Sequence, residues 1–185
     1  MKEIYNQTPK NKLLKIQIIV ILSSLMLGTL LHFTYEWSGK NVIVASFSAS
    51  NESTWEHLKL AFYPIFLATI IEYSFVKNVA NNYIEAKTIG IVTAISFIVI
   101  SFFTYTGILG IHLFLIDILI FVVSVILGEC VAYKLMKRED GSNIKTKLLA
   151  VAIMAFLLIS FIVCTYTPPE INLFRDPLTG NYGIE

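Results

Sequence analysis

Five stretches of the chain are apolar over the length an α-helix needs to cross a bilayer, ~20 residues for ~30 Å of hydrocarbon. They run over 13–33, 58–76, 88–109, 111–135 and 148–167. Lipid offers the backbone no hydrogen-bond partner, so spans of this length are predicted to be helical despite their many Ile and Val residues. The polar positions fall into short basic connections on one side and two long non-spanning stretches, 35–57 and 168–185, on the other. The pattern predicts an all-α fold: one integral membrane domain over 1–185, a bundle of five transmembrane helices. Composition agrees. Apolar residues make up 56 % and charged residues 15 %, against ~25 % charged in a soluble domain, and mean hydropathy is +0.71. These values exclude a disordered chain, a disulfide-stapled secreted domain and a soluble enzyme. A net charge of +1 leaves no electrostatic footprint for nucleic acid. The implied partner is the lipid bilayer, in a multi-pass protein of the cell membrane.

The lysines orient the bundle. With the N-terminus inside, the inner segments hold Lys2, Lys10, Lys12, Lys15, Lys77, Lys87, Lys134, Lys137, Arg138, Lys145 and Lys147, and the outer ones only Lys40, Lys59 and Arg175. Eleven against three is a positive-inside asymmetry, and it puts the C-terminus outside. The first span is read as an uncleaved anchor, because its apolar run exceeds the ~7–15 residues of a signal core and no small-residue cleavage site follows. Cys130 and Cys164 fall in opposite leaflets, beyond disulfide reach. Glu72 and Glu129 lie near the inner ends of their spans, within snorkelling range of Lys77 and Lys134.

The chemistry-bearing residues gather at the outer ends. His32 closes the first span, His57 opens the second and His112 opens the fourth, with Glu36, Glu52, Glu56 and Asp117 on the same side. Ser53 and Glu56 fit the capping box S/T-x-x-E at the start of the second helix. Pro64, inside that helix, is expected to kink it and open space beneath the outer surface. Asp117 lies about two turns below the outer surface, where an acid usually faces a cavity or the bundle interior. Histidines and carboxylates are ligands of zinc and other divalent ions. His32, His57, His112 and Asp117 are therefore the candidate metal ligands, zinc the candidate cofactor, and Glu56 and Ser53 the candidate catalytic base and nucleophile. Glu36, Glu52, Trp55 and Arg175 complete the polar cluster. The alternative reading is interfacial trim, with Trp37, Trp55, Tyr35 and Tyr63 as an aromatic belt, Glu56 and Ser53 as caps, and Asp117 accepting a hydrogen bond from a neighbouring span. The stretch 38–50 reads as an interfacial or re-entrant segment. The tail, with Ile171, Leu173, Phe174 and Leu178, is expected to fold back over the outer surface, bringing Arg175 near the acids.

The segments Leu31-His32-Phe33-Thr34-Tyr35-Glu36-Trp37-Ser38, Asn51-Glu52-Ser53-Thr54-Trp55-Glu56-His57-Leu58-Lys59 and Leu173-Phe174-Arg175-Asp176-Pro177-Leu178-Thr179-Gly180-Asn181-Tyr182-Gly183 resemble an uncharacterised family of small multi-pass membrane proteins of anaerobic Gram-positive bacteria. Ala49-Ser50 departs from the Pro-Val associated with that family. The resemblance implies location and fold and carries no activity. A looser chemical likeness links the residue types to seven-span hydrolases of the alkaline ceramidase and progestin-receptor-like type, which use three His, an Asp and a Ser around zinc; the five spans and the local spacing here differ.

Three functional readings follow. The first is a membrane protein whose outer polar cluster is structural or binds a partner or ligand. The second is a metal-dependent membrane hydrolase acting on a lipid or lipid-linked substrate. The third is a small transporter, which with five spans would work as a homo-oligomer.

Overall fold

The protein, seen in a computed structural model, is described over residues 2–138 and 142–184, with side chains from residue 11 onward; those of Lys2 and Lys10 lie outside the described set. Six helices form: α1 (Lys2–Trp37), α2 (Val42–Ala45), α3 (Thr54–Val76), α4 (Tyr83–Leu109), α5 (Phe114–Met136) and α6 (Ile144–Tyr166). Five are long and apolar enough to cross a membrane, all except α2. Among the described residues no strand forms, only an isolated bridge between Arg175 and Tyr182.

Four helices begin earlier than the apolar pattern indicates, at Lys2 rather than 13, Thr54 rather than 58, Tyr83 rather than 88 and Ile144 rather than 148. Polar first turns are supplied with caps. The Ser53 side chain accepts from the Glu56 backbone, and Asn143 and Thr146 form a reciprocal capping box on α6. Tyr83, the first residue of α4, is buried and donates its hydroxyl to the Thr69 carbonyl at 2.8 Å.

Small residues set the helix spacing. Between apolar helices in lipid, close backbone approach replaces the hydrophobic drive as the source of packing energy. On α4, Ala86, Gly90 and Ala94 recur every four residues, as do Ser124, Gly128 and Ala132 on α5. A Cβ at Gly90 would meet the Gly128 carbonyl at 2.6 Å, and one at Gly128 would meet the Gly90 carbonyl at 2.6 Å. Gly28 does the same for α1 and α3: its Cβ would meet the Leu60 carbonyl at 2.4 Å. Pro64 has no N–H to give that carbonyl, so the oxygen freed by the proline faces the one α1 residue without a side chain. The space expected around Pro64 is filled. Phe62 is fully buried and packs on Tyr63, Phe66 and Phe161, at ring-centroid distances of 5.2, 5.4 and 4.8 Å.

The chain's polar contacts divide between two ends of the bundle. At one end the C-termini of α1 and α6 meet the N-terminus of α3, with α2 and the tail laid across them. At the other, Lys87 of α4 pairs with Glu72 of α3 at 2.8 Å and Glu129 of α5 at 2.6 Å, all three buried. The acids thus find Lys87, not the expected Lys77 and Lys134. The early start of α4 puts Lys87 one turn inside the helix, and the Gly90–Gly128 contact brings it against Glu129. Between the two ends lie Ala61, Phe62, Ile65, Ile91, Ala94, Ile98 and Val125, all buried in one apolar cluster.

A side chain at the α4–α5 contact would force the helices apart. Gly128→Leu is expected to destabilise the protein by about 1–3 kcal/mol or more, an overpacking cost, whereas Gly107→Ala, whose added methyl meets nothing within 4 Å, leaves it unchanged or slightly steadier. Unfolding of both variants in detergent, followed by circular dichroism, checks the contrast.

Candidate metal centre

The site begins with a buried lysine. Lys59, on the second turn of α3, is fully buried. Its ammonium meets the Glu56 carboxylate at 2.6 Å and donates to the Ala45 carbonyl at 2.8 Å and the Ser48 carbonyl at 3.4 Å. The carbonyls come from α2 and the turn that follows it, so the segment 38–50 is rolled over the end of α3 as a cap on that charge. Tyr63, one turn further, donates to the Ser46 carbonyl at 2.7 Å. The Ser48 hydroxyl donates to the Leu31 carbonyl and accepts from the Tyr35 amide, which ties the same segment to α1.

Glu56 is consumed by this work. Its Oε2 also accepts from the Ser50 amide at 2.9 Å and the Ser50 hydroxyl at 2.8 Å, and its Oε1 from Thr165 of α6 at 3.3 Å. Only half of the expected capping box forms. Ser53 accepts from the Glu56 amide at 3.3 Å, but the Ser53 amide is taken by the Asn51 side chain at 2.8 Å, because Lys59 and Ser50 hold the Glu56 carboxylate elsewhere.

With the loop fixed at Ser48 and Ser50, Glu52 stands beside two imidazoles. His57 of α3 and His32 of α1 face each other, Nε2 to Nε2, at 3.3 Å. Glu52 Oε2 lies 3.5 Å from His57 Nε2 and 4.0 Å from His32 Nε2. The three atoms all lie within 4.8 Å of one another, and among the described residues this is the group of histidines and acids with that geometry. Two nitrogens each ~2.0–2.1 Å from a tetrahedral zinc stand about 3.3–3.4 Å apart. The imidazoles therefore already have the spacing of a shared ion, and Glu52 needs to close by about half an ångström on the His32 side. His57 Nδ1 is 2.9 Å from the Ser53 carbonyl. A carbonyl only accepts, so in the neutral ring Nδ1 carries the hydrogen and Nε2 presents its lone pair to the group, the second-shell arrangement of metal-ligating histidines. The two imidazoles are half-buried and Glu52 is exposed, so the group borders water.

The remaining candidates lie elsewhere. His112 is exposed and packs on Phe102 at a centroid distance of 5.2 Å. Asp117 accepts a hydrogen bond from Tyr105 of α4, the neighbouring-span contact of the structural reading. Neither belongs to the His32–Glu52–His57 group. Glu36 pairs with Lys40 at 3.8 Å on the surface. Arg175 donates to the Gly180 carbonyl at 3.3 Å within the tail. Trp55 sits between Phe161 and Phe174, at 4.8 and 4.7 Å, and its amide donates to the Leu173 carbonyl at 3.0 Å. The tail is thereby folded back onto α3, and the Asn51 side chain reaches the Gly183 carbonyl at 2.8 Å. Lys59 is a residue at this end that the pattern of candidate ligands does not single out. Its signal is a lysine among Leu58, Leu60 and Ala61, three residues after an acid.

Comparison with known proteins adds a family. The model of a family of unknown function, DUF6512, matches residues 1–184, so the chain belongs to that family. No curated protein matches the chain, and no solved structure does.

Removing one member of a buried pair strands the other charge. Lys59→Met is expected to cost about 3–5 kcal/mol, and adding Glu56→Gln to recover a large part of it. A double-mutant cycle on unfolding in detergent measures the coupling.

Proposed function

We propose that this member of a family of unknown function is a membrane protein that binds one divalent transition-metal ion through His32, His57 and Glu52. The reading rests on one observation: two imidazole nitrogens 3.3 Å apart with a carboxylate beside both. Two nitrogens and one oxygen suit zinc and its neighbours better than magnesium or calcium, which prefer all-oxygen sets. Three protein ligands leave a fourth position for water or an incoming ligand, and the exposed edge at Glu52 is where one would enter. All three ligands come from one chain, so the site needs no second copy.

The binding reading is preferred to the other two for specific reasons. A hydrolase needs a base free to take a proton from the metal-bound water, and the expected base, Glu56, is held by Lys59, Ser50 and Thr165. A transporter needs a polar route, and the middle of the bundle is filled by Ile65, Ile91, Ala94, Ile98 and Val125. The lysine distribution supports an orientation with the metal end outside the cell membrane and the Glu72–Lys87–Glu129 end inside.

Purified protein is expected to retain about one zinc per chain after exchange into metal-free buffer. His32→Ala and His57→Ala should abolish retention, Glu52→Ala should weaken it by about 10–100-fold, and His112→Ala should leave it intact. Retention should be lost on acidification, because metal ligation needs the unprotonated imidazoles. Wild-type protein without zinc, or His57→Ala with it, overturns the reading. For orientation, an impermeant maleimide added to cells should label Ser38→Cys and spare Lys77→Cys, both in a Cys130→Ser, Cys164→Ser background.

A further inference from the structure

The end of the bundle away from the metal centre holds two buried carboxylates against one buried ammonium. Lys87 lies 2.8 Å from Glu72 Oε2 and 2.6 Å from Glu129 Oε2, and all three side chains are at most 2 % exposed. With every group ionised the cluster carries one uncompensated negative charge. Burial of an unpaired charge inside a membrane bundle costs several kcal/mol. Among the described residues, the groups that meet the cluster supply no second cation: Gln17 from α1 donates to Glu72, and Tyr83 from α4, 3.2 Å from Glu72 Oε2, gives its hydroxyl hydrogen to the Thr69 carbonyl; both are neutral.

We propose that Glu72, Lys87 and Glu129 form a proton-binding site holding one exchangeable proton, shared between the two carboxylates. Gln17 is the second observation that points to it. Its carboxamide is buried and donates through Nε2 to Glu72 Oε1, while its own Oε1 has no hydrogen-bond partner. A carboxamide is nearly symmetric in shape. Turned one way it donates to an ionised Glu72; turned the other, the unused oxygen accepts the O–H of a protonated one. The side chain thus has a role in both protonation states, and the buried oxygen without a partner is the acceptor for the protonated one. A small cation such as sodium fits less well. It needs several free oxygen lone pairs, and Glu72 already accepts from Gln17 and Lys87. The proton belongs to the pair, since strongly interacting acids titrate jointly. Glu72 lies four residues before the end of α3 and Lys87 four residues after the start of α4, ~6 Å along each helix. Exchange therefore takes place with the aqueous phase on that side alone. The inference is independent of the metal reading, because no residue is common to the two clusters.

Charge counting gives the test. Infrared spectra of the full-length protein in bilayers at pH 7 should show a protonated-carboxyl C=O band sensitive to deuterium exchange. Glu129→Gln leaves one acid and one lysine and should remove one equivalent of the band; Glu72→Gln should do the same. Lys87→Met leaves two acids and no counter-charge and should double it. Helix content by circular dichroism identifies any variant that does not fold, and the remaining two then decide. A band unchanged in both carboxamide variants overturns the proposal. So does a wild-type band that vanishes when choline chloride is replaced by sodium chloride, which would assign the site to sodium.

Discussion

The arrangement around the His32–Glu52–His57 group depends on the burial of one ammonium group. Lys59 cannot reach water from its place on α3, so its charge must be met by protein groups. Glu56 supplies the counter-charge from one turn earlier, and the carbonyls of Ala45 and Ser48 supply the remaining acceptors. Those two carbonyls are available only if the chain between α1 and α3 folds down over the helix end. The loop is thus ordered by electrostatics more than by its own apolar content. Val42 and Ile43 remain exposed. Once Ser50 is bound to Glu56, only Asn51 separates it from Glu52, and the third candidate ligand has little freedom left.

The tail strengthens the same frame from the other side. Phe174 and Phe161 enclose the Trp55 ring, and Leu173 takes the Trp55 amide. That amide is in the first turn of α3, where the helix itself offers no partner. The tail therefore serves as a second cap, beside Ser53. Thr165 of α6 reaches the other carboxylate oxygen of Glu56, so α3, α6, the loop and the tail are all joined through Trp55 and Glu56, and Ser48 ties the loop to α1.

How far the sequence revealed this follows from what a linear pattern encodes. Length and hydropathy give the five spanning helices, because the bilayer fixes the required run of apolar residues. Depth along the membrane normal is also legible, by counting 1.5 Å per residue from a span's end. Azimuth and neighbour identity are not. His32, His57 and His112 share a depth on paper, yet only helices that touch can bring side chains together, and the Gly28–Leu60 contact pairs α1 with α3. His112, at the α4–α5 turn, has Phe102 as its neighbour. Lys87 escaped notice for a related reason. Its partner Glu129 is set by the Gly90–Gly128 approach, and a spacing of small residues within each helix does not say which helix it will meet. Glu56 looked like a free acid because its lysine is three residues away inside an apolar run, where a charge is expected only when something answers it.

The imidazole pair bears on how an ion and a hydrogen would compete for the space between the two rings. Without an ion, two neutral rings facing Nε2 to Nε2 at 3.3 Å are stable only as donor and acceptor; two lone pairs would repel. The Ser53 carbonyl fixes His57 as the acceptor, since its hydrogen is committed to Nδ1. His32 must then donate from Nε2, and that hydrogen lies where the ion would sit. A metal ion held here would require the His32 hydrogen to be on Nδ1, while His57 would need no change. The two candidate ligands are therefore unequal although they are the same residue type. The asymmetry originates in the helix cap: Ser53 ends the loop, starts α3 and, through its carbonyl one turn back from His57, decides which way that ring presents its lone pair.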